Sequence, residues 1–326
     1  MKAVVYGGGN IGRGFLGQLL YESGFETVFI DVNHALIDTL NRDRSYPIKI
    51  VCNDYQKEIT IQNVRAVHSK QAAPEIETAD ILFTSAGVQV LPLIAPVLKE
   101  GLNRRRTGVD IVICENLLHA DKILRELINP AENVGFAEAS VGRMVPVMTE
   151  EMREGSLTKV WVEPFCTLPV DKAAFRNPIP PIKGMIPSAP FAYYIESKLY
   201  LHNMGHALAA YLGMAKGCLY IWQAMEDREI HDTVKGAMYA SAFALHLEHG
   251  KPLAEVMAYA DDLIFRFQNR YLGDTTERVG RDVERKLAPG DRLLGALKLC
   301  QKHKQPTEGI KAGILAALDY IYEEKS

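Results

Sequence analysis

Long apolar runs are absent from this chain. The longest uncharged stretch, Ile81 to Leu98, is interrupted by Thr84, Ser85, Gln89, Pro92 and Pro96. A membrane span is more uniformly apolar, so this stretch reads as a strand, a loop and a helix start. The N-terminal apolar run, Ala3 to Tyr6, gives way at once to three glycines and is too short for the core of a signal peptide. A strong excess of either charge is also missing: 37 Lys and Arg stand against 40 Asp and Glu, for a formal charge of −3. That balance gives no electrostatic footprint for nucleic acid or for an anionic membrane surface. Cysteine is sparse. The five residues Cys52, Cys114, Cys166, Cys218 and Cys300 form no CxxC pair, so reduced thiols in a cytoplasmic protein are expected. No internal repeat or low-complexity segment is found.

With 326 residues, 48% of them hydrophobic and 24% charged, the chain can fill two domain cores. Its first half alternates short β-branched runs with helical patterns, as a parallel sheet with crossover helices requires. Strands are expected at Lys2–Tyr6, Glu26–Ile30, Asp80–Thr84 and Asp110–Cys114, with a helix over Asn10–Ser23. Val134–Glu138 and Lys159–Phe165 also read as strands. Five of the sixteen prolines then fall between Asn177 and Phe191, and Pro-rich backbone resists both helix and sheet. From Phe191 onward the pattern is almost purely helical. The expected architecture is an α/β Rossmann domain with a doubly wound, mostly parallel sheet over residues 1–182. An all-α domain over 183–326 follows, with an active site in the cleft between them.

Gly7-Gly8-Gly9-Asn10-Ile11-Gly12 matches GxGxxG, directly after the first strand and opening a helix. Gly7 permits the tight turn, Gly9 lets backbone approach a pyrophosphate, and Gly12 lets the helix pack on the strand. The phosphates then sit over free N–H groups of the helix start at Asn10 and Ile11. Asp31, at the end of the second strand, can accept hydrogen bonds from the adenosine ribose and would repel a 2′-phosphate. NAD is therefore expected over NADP.

A second constellation lies in Lys198-Leu199-Tyr200-Leu201-His202-Asn203-Met204-Gly205-His206. The surrounding segment is apolar on nearly every side, so a helix here is expected to be largely buried. Lys198, Asn203 and His206 are then polar groups in an interior that penalises them unless they have partners. At about 100° per residue they span an arc of roughly 140°, so one face can present all three. A desolvated lysine has a depressed pKa and can serve as a base near neutrality. The structural alternatives are a lysine that snorkels to the surface and a satisfied core histidine. A zinc reading from the i, i+4 pair His202 and His206 lacks the Glu of HExxH and an evident third ligand, so no metal is expected.

With these residues in view, the chain resembles the polyol-specific long-chain dehydrogenases. The similar stretches are Gly7 to Phe15, Asp31-Val32-Asn33, Cys114-Glu115-Asn116-Leu117, the K-x4-N-x2-H pattern at Lys198, Asn203 and His206, and Asn269 to Leu293. The resemblance implies a metal-independent enzyme in which Lys198 is the general base. Asn116 and Asn203 would donate hydrogen bonds to the developing alkoxide, and His206 would orient the substrate. The chain departs from the family at Gly142, where an acid is usual, and at Arg270, where a proline is usual. It also stops soon after Ile310, which is expected to alter the cleft or leave a helical face for a partner subunit.

The implied substrate is a sugar-alcohol phosphate, with D-mannitol 1-phosphate oxidised to D-fructose 6-phosphate. A free polyol or a hexonate would use the same mechanism, and a non-catalytic NAD-binding sensor is the reading from another class. A phosphate would be met by the basic segment holding Arg278, Arg281, Arg285, Lys286 and Arg292, with Arg281 and Arg285, spaced i, i+4, the first choices. The partner is thus a small molecule, with neither nucleic acid nor membrane involved, and the protein a monomer or small homo-oligomer.

Overall fold

The computed structural model describes residues 1–117 and 119–324, with side chains through 322. The chain forms two compact units: Met1–Val51 with Tyr55–Phe191, and Ala192–Ser326 with Cys52–Asp54.

The first unit is organised by a six-stranded parallel sheet. Its strands are β1 (Lys2–Tyr6), β2 (Glu26–Asp31), β5 (Val64–His68), β6 (Ile81–Thr84), β7 (Val109–Ile113) and β8 (Val134–Glu138), in the order β5-β2-β1-β6-β7-β8. All five pairings are parallel, with Tyr6 opposite Ile30 on one side and Thr84 on the other. The strand order, not the strand direction, reverses between β1 and β6, which is the switch point where doubly wound sheets bind ligands. Because the sheet is covered on both faces, its strands are mostly apolar, with the charged residues Glu26, Asp31 and Glu138 at strand ends. Side chains alternate across it: Val5, Phe29 and Phe83 belong to one core, Val4, Val28 and Leu82 to the other.

A hairpin of β3 (Ser45–Val51) and β4 (Gln56–Gln62) joins β9 (Val160–Val162) in a separate three-stranded sheet. The sequence reading does not anticipate this hairpin, although the alternation of Ile48 and Ile50 with Ile59 and Ile61 carries its signal. Strand β8 extends the main sheet, while β9 does not. The proline-rich stretch also differs from expectation: β11 (Met185–Ser188) pairs in parallel with β10 (Leu168–Asp171). That pairing carries the first unit through Phe191, beyond the expected boundary at 182/183. Pro187 is accommodated because the two-stranded sheet leaves β11 at an edge.

The second unit is helical among its described residues. Its central helix runs through Ala192–Ser197, Lys198–Asn203 and Met204–Ala215 without a break. The last portion is buried on nearly all sides, with Leu208, Ala209, Ala210 and Tyr211 all sealed. Close packing there depends on small residues; a Cβ on Gly205 would stand 2.5 Å from the Met238 sulfur. Around it lie Arg228–His249, Leu253–Phe267, Arg292–Lys302 and Glu308–Glu324. The longest of these begins where the Asp227 side chain accepts from Ile230 N and ends at Gly250 in the left-handed region, φ 65°. No described helix is long and apolar enough to cross a membrane. Arg270, the family's proline position, has its guanidinium 4.9 Å from the Trp222 ring centre and pairs with Glu226. Its charge is therefore used locally, within the helical unit.

Candidate active site

In the first unit the glycine loop has the geometry a dinucleotide needs. Gly7 takes φ 106°, and a Cβ there would stand 2.5 Å from Ser85 O. A Cβ on Gly12 would come within 1.9 Å of Gly7 O, whereas one on Gly9 would meet nothing within 4 Å. The first and third glycines are thus required by the fold, and the second leaves room against backbone N–H groups. Asp31 is held by three backbone donors: Gly8 N at 2.9 Å on one oxygen, Val32 N at 2.7 Å and Asn33 N at 3.0 Å on the other. This fixes the carboxylate at the end of β2. Asn10 turns its amide to Pro146 O at 3.4 Å.

The helix that follows widens into a π turn over Gly12–Leu16, where Gly17 N–H reaches back to Gly12 O. Within it Arg13 is 4% exposed, and its Nε and Nη1 have no hydrogen-bond partner. The loop itself offers a cradle free of side chains at Gly9, which suits a diphosphate.

At the next strand end, the two carboxylate oxygens of Glu115 accept from Ala86 N at 2.9 Å and Gly87 N at 3.0 Å. Burial raises the Glu115 pKa against these bonds. The adjacent Asn116 is exposed. Glu115 had drawn no role from the sequence, yet it ties the loop after β6 to the end of β7. Arg143, beside the family-variant Gly142, is buried and donates to Glu163 O, Gly14 O and Gln18 Oε1. It braces the fold.

In the second unit Lys198 and Asn203 bound a second π turn, in which Met204 N–H bonds to Leu199 O. This changes the angular reading. An α-helix places residues five apart about 140° from one another, but a π turn joins i to i+5 by hydrogen bonds and so stacks them. Lys198 and Asn203 consequently share a face more closely than regular helical periodicity allows. His206, one turn on, stacks on Phe267 with ring centres 5.0 Å apart and planes at 7°.

Burial is the main cause that drives the His206 pKa down to about 3, followed by the nearby cations Arg278, Arg292, Arg266 and Lys286. The imidazole is therefore neutral at working pH. Its Nε2 lies 3.5 Å from Asp274 Oδ2, too long for a strong hydrogen bond, and with a neutral ring there is no ion pair. The Asp274 carboxylate is instead engaged by Arg278. His202 is buried, with Nδ1 lacking a partner, and burial holds its pKa well below the ordinary value. Among the described residues, the one group of three potential metal ligands within 4.8 Å is His119, Asp121 and Glu138, which does not involve this helix.

The basic segment is not one continuous helix. A short helix, Thr276–Gly280, stops before Arg281, and Asp282 reverses the chain at φ 57° before Val283–Lys286. Arg281 and Arg285 are thus not successive turns of one helix. They are largely exposed and paired with Glu277 at 3.4 Å and Asp282 at 3.5 Å. Lys286 and Arg292 point the other way. Lys286 is 4% exposed; its backbone N–H donates to Asp282 O at 3.1 Å, while its ammonium makes no hydrogen bond or ion pair among the described residues. Burial, then Arg292 and Arg285, push its pKa down to about 8. Arg292 is also buried, its Nε 2.8 Å from Asp291. It begins a helix that packs on the π turn, where Tyr200 Oη bonds to Gly290 O at 3.2 Å.

Two family models cover the chain: the mannitol dehydrogenase Rossmann domain matches residues 1–184, and the mannitol dehydrogenase C-terminal domain matches 191–326. The mannitol-1-phosphate 5-dehydrogenase of Bacillus pumilus (strain SAFR-032) is 38% identical, over 99% of this chain and 89% of the relative. That of Shouchella clausii (strain KSM-K16) is 37% identical over the same shares. Among solved structures, the Pseudomonas fluorescens mannitol 2-dehydrogenase ternary complex with NAD and D-mannitol has a TM-score of 0.75 at 17% identity, covering 98% of this chain and 79% of that one. A substrate-free D-sorbitol dehydrogenase gives 0.80 at 15% identity, covering 97% and 79%. These two are likenesses of fold.

Proposed function

This chain belongs to the mannitol dehydrogenase family, and on that premise we propose that it oxidises D-mannitol 1-phosphate to D-fructose 6-phosphate with NAD. The observation that carries the phosphate is Lys286, a buried ammonium that Asp282 and Asp291 influence only from a distance, in the same charged surroundings as the neutral His206 and the buried Arg292. An unpaired buried cation is costly, and an anionic substrate group would relieve that cost. The activity named for both curated relatives supports the same substrate.

NAD, when bound, supplies the hydride acceptor. Gly7, Gly9, Asn10, Ile11 and Gly12 would hold its diphosphate, and Asp31 would accept from the ribose hydroxyls. Lys198 Nζ takes the proton of the reacting hydroxyl while the C–H electron pair leaves with its hydrogen as hydride. Asn203 and Asn116 donate to the oxygen as negative charge grows on it. His206, kept neutral, orients the substrate through a single hydrogen bond. Lys286 and Arg292 hold the phosphate, which moves that role inward from Arg281 and Arg285. The first unit, through Phe191, thus carries the cofactor, and the helical unit from Ala192 carries the base. The enzyme works without metal, in the cytoplasm, as a monomer or small homo-oligomer.

The test is NAD-linked turnover on mannitol 1-phosphate, free mannitol and hexonates. The phosphate ester should give the highest kcat/KM. Equal efficiency on the unphosphorylated compounds would remove the phosphate while leaving the dehydrogenase. Activity should also survive dialysis against a strong chelator; loss restored by Zn²⁺ would replace the lysine base with Lewis-acid chemistry.

A further inference from the structure

The π turn over Lys198–Asn203 passes over one backbone acceptor. In an α-helix Met204 N–H would bond to the carbonyl four residues back, Tyr200 O. Here it goes to Leu199 O and Leu201 O instead. The Tyr200 carbonyl thus loses the donor that regular geometry assigns to it. Its neighbours Leu201 and Met204 are sealed from solvent, and a carbonyl left without a donor in such surroundings is costly.

The replacement donor comes from another helix. Ser241 Oγ donates to Tyr200 O at 2.7 Å, and Ser241 is fully buried within Arg228–His249. A serine inside a helix commonly turns its hydroxyl back to a carbonyl of its own helix; this one crosses to the neighbouring one. So short a side chain reaches a backbone only where two helices come close. Met238 reports that approach: it lies three residues before Ser241, on the same face, and its sulfur is 2.5 Å from where a Cβ on Gly205 would stand. Tyr200 is also held by its ring. Its Oη donates to Gly290 O at 3.2 Å, and a Cβ on Gly295 would meet Tyr200 Cε1 at 2.5 Å. The residue at the centre of the turn is therefore fixed through both backbone and side chain.

We propose that Ser241 is a positioning residue for the dehydrogenation, holding the helix in its π register by taking the carbonyl which that register leaves without a donor. The consequence is geometric. Without the Ser241 hydroxyl, Tyr200 O regains a donor when Met204 N–H returns to it, and that move restores α-helical spacing. Lys198 and Asn203 would then stand about 140° apart in place of sharing a face. Ser241 acts through the spacing of base and amide donor, not on the substrate. The inference rests on the reading that Lys198 and Asn203 carry the chemistry.

The test compares Ser241→Ala with wild type and with Lys198→Ala in turnover of mannitol 1-phosphate with NAD. Near-normal kcat in Lys198→Ala would overturn the reading of the base, and this inference with it. With Lys198→Ala inactive, the outcomes at Ser241 decide this inference alone. In Ser241→Ala kcat should fall at least about tenfold, the scale of a misplaced catalytic group. KM for mannitol 1-phosphate and the dissociation constant for NADH should stay within about threefold. The melting temperature should stay close to that of wild type, because the α register gives the carbonyl a donor and alanine favours the helix. A crystal structure of the variant should show Met204 N–H on Tyr200 O. An unchanged kcat, a variant structure that keeps the π turn, or a loss of NADH affinity as large as the loss in kcat would each end the proposal. Should Ser241→Ala fail to fold, Ser241→Cys keeps a side chain of similar shape with a weaker donor. A lower kcat at unchanged KM then supports the proposal, and full retention of kcat overturns it.

Discussion

The chain widens its helix into a π turn twice, at Gly12–Leu16 and at Lys198–Asn203, and the two turns organise different kinds of atom. At the first, contacts are made by backbone and by the absence of side chains. Gly14 and Gly17 allow close packing, and the loop before them offers N–H groups. At the second, the turn brings side chains five residues apart onto one face, and the polar groups around them come from several helices. A backbone site tolerates most side chains nearby but no misplaced Cβ. A side-chain site tolerates backbone variation but depends on each functional group and on the charge around it. The comparison leads to distinct sensitivities, and each can be tested.

The largest effect is expected at Lys198. Lys198→Ala should lower kcat by about two orders of magnitude or more, the usual scale for loss of a general base. The dissociation constant for NADH, set in the other unit, should stay within about twofold. Coupled losses in both would break the division of labour.

Next comes Lys286. Lys286→Met should raise KM for mannitol 1-phosphate by at least about tenfold, the worth of a charged hydrogen bond, with little effect on free mannitol. Arg281→Gln, removing an exposed and ion-paired arginine, should change either value less than about twofold. The reverse ranking would return the phosphate to the exposed pair.

Asp31→Ser sharpens the other side. Wild type should favour NAD over NADP by about tenfold or more in kcat/KM, or about 1.4 kcal/mol, and the variant should narrow that ratio. A preference that survives the substitution would place discrimination elsewhere in the loop.

The smallest effects are in stability against pH, and they have opposite signs in the two units. Glu138 in the first unit has its pKa raised to about 7, mainly by burial and then by Asp121. A raised carboxyl contributes stability that is fully present below its unfolded value of 4.5 and lost as pH rises through about 7. Glu138→Gln should therefore gain melting temperature over wild type at pH 8 and show no gain at pH 4.5. His206 has its pKa lowered from 6.5 to about 3, so its contribution is present above 6.5 and lost as pH falls toward 3. His206→Gln should flatten the acid limb of thermal stability between pH 6.5 and 4, and an unchanged slope would contradict the buried neutral imidazole.

Adjacency in sequence made the nucleotide loop and the fold readable. Gly7, Gly9, Gly12 and Asp31 act through contiguous turns and a strand end, and the alternating apolar strands state their own burial. The K-x4-N-x2-H pattern gave the second site's members, and the family resemblance supplied Asn116. What only the tertiary structure decided was their environment. Lys286, Arg281 and Arg285 are indistinguishable as cations in a mixed-charge segment. The chain reversal at Asp282 exposes two of them and buries the third. The π turn at Lys198 likewise packs against the helix that begins at Arg292, a contact between segments some ninety residues apart. Periodicity reports the local helix, but which charge is desolvated depends on residues distant in sequence, because burial is a property of the packed surface and not of the segment.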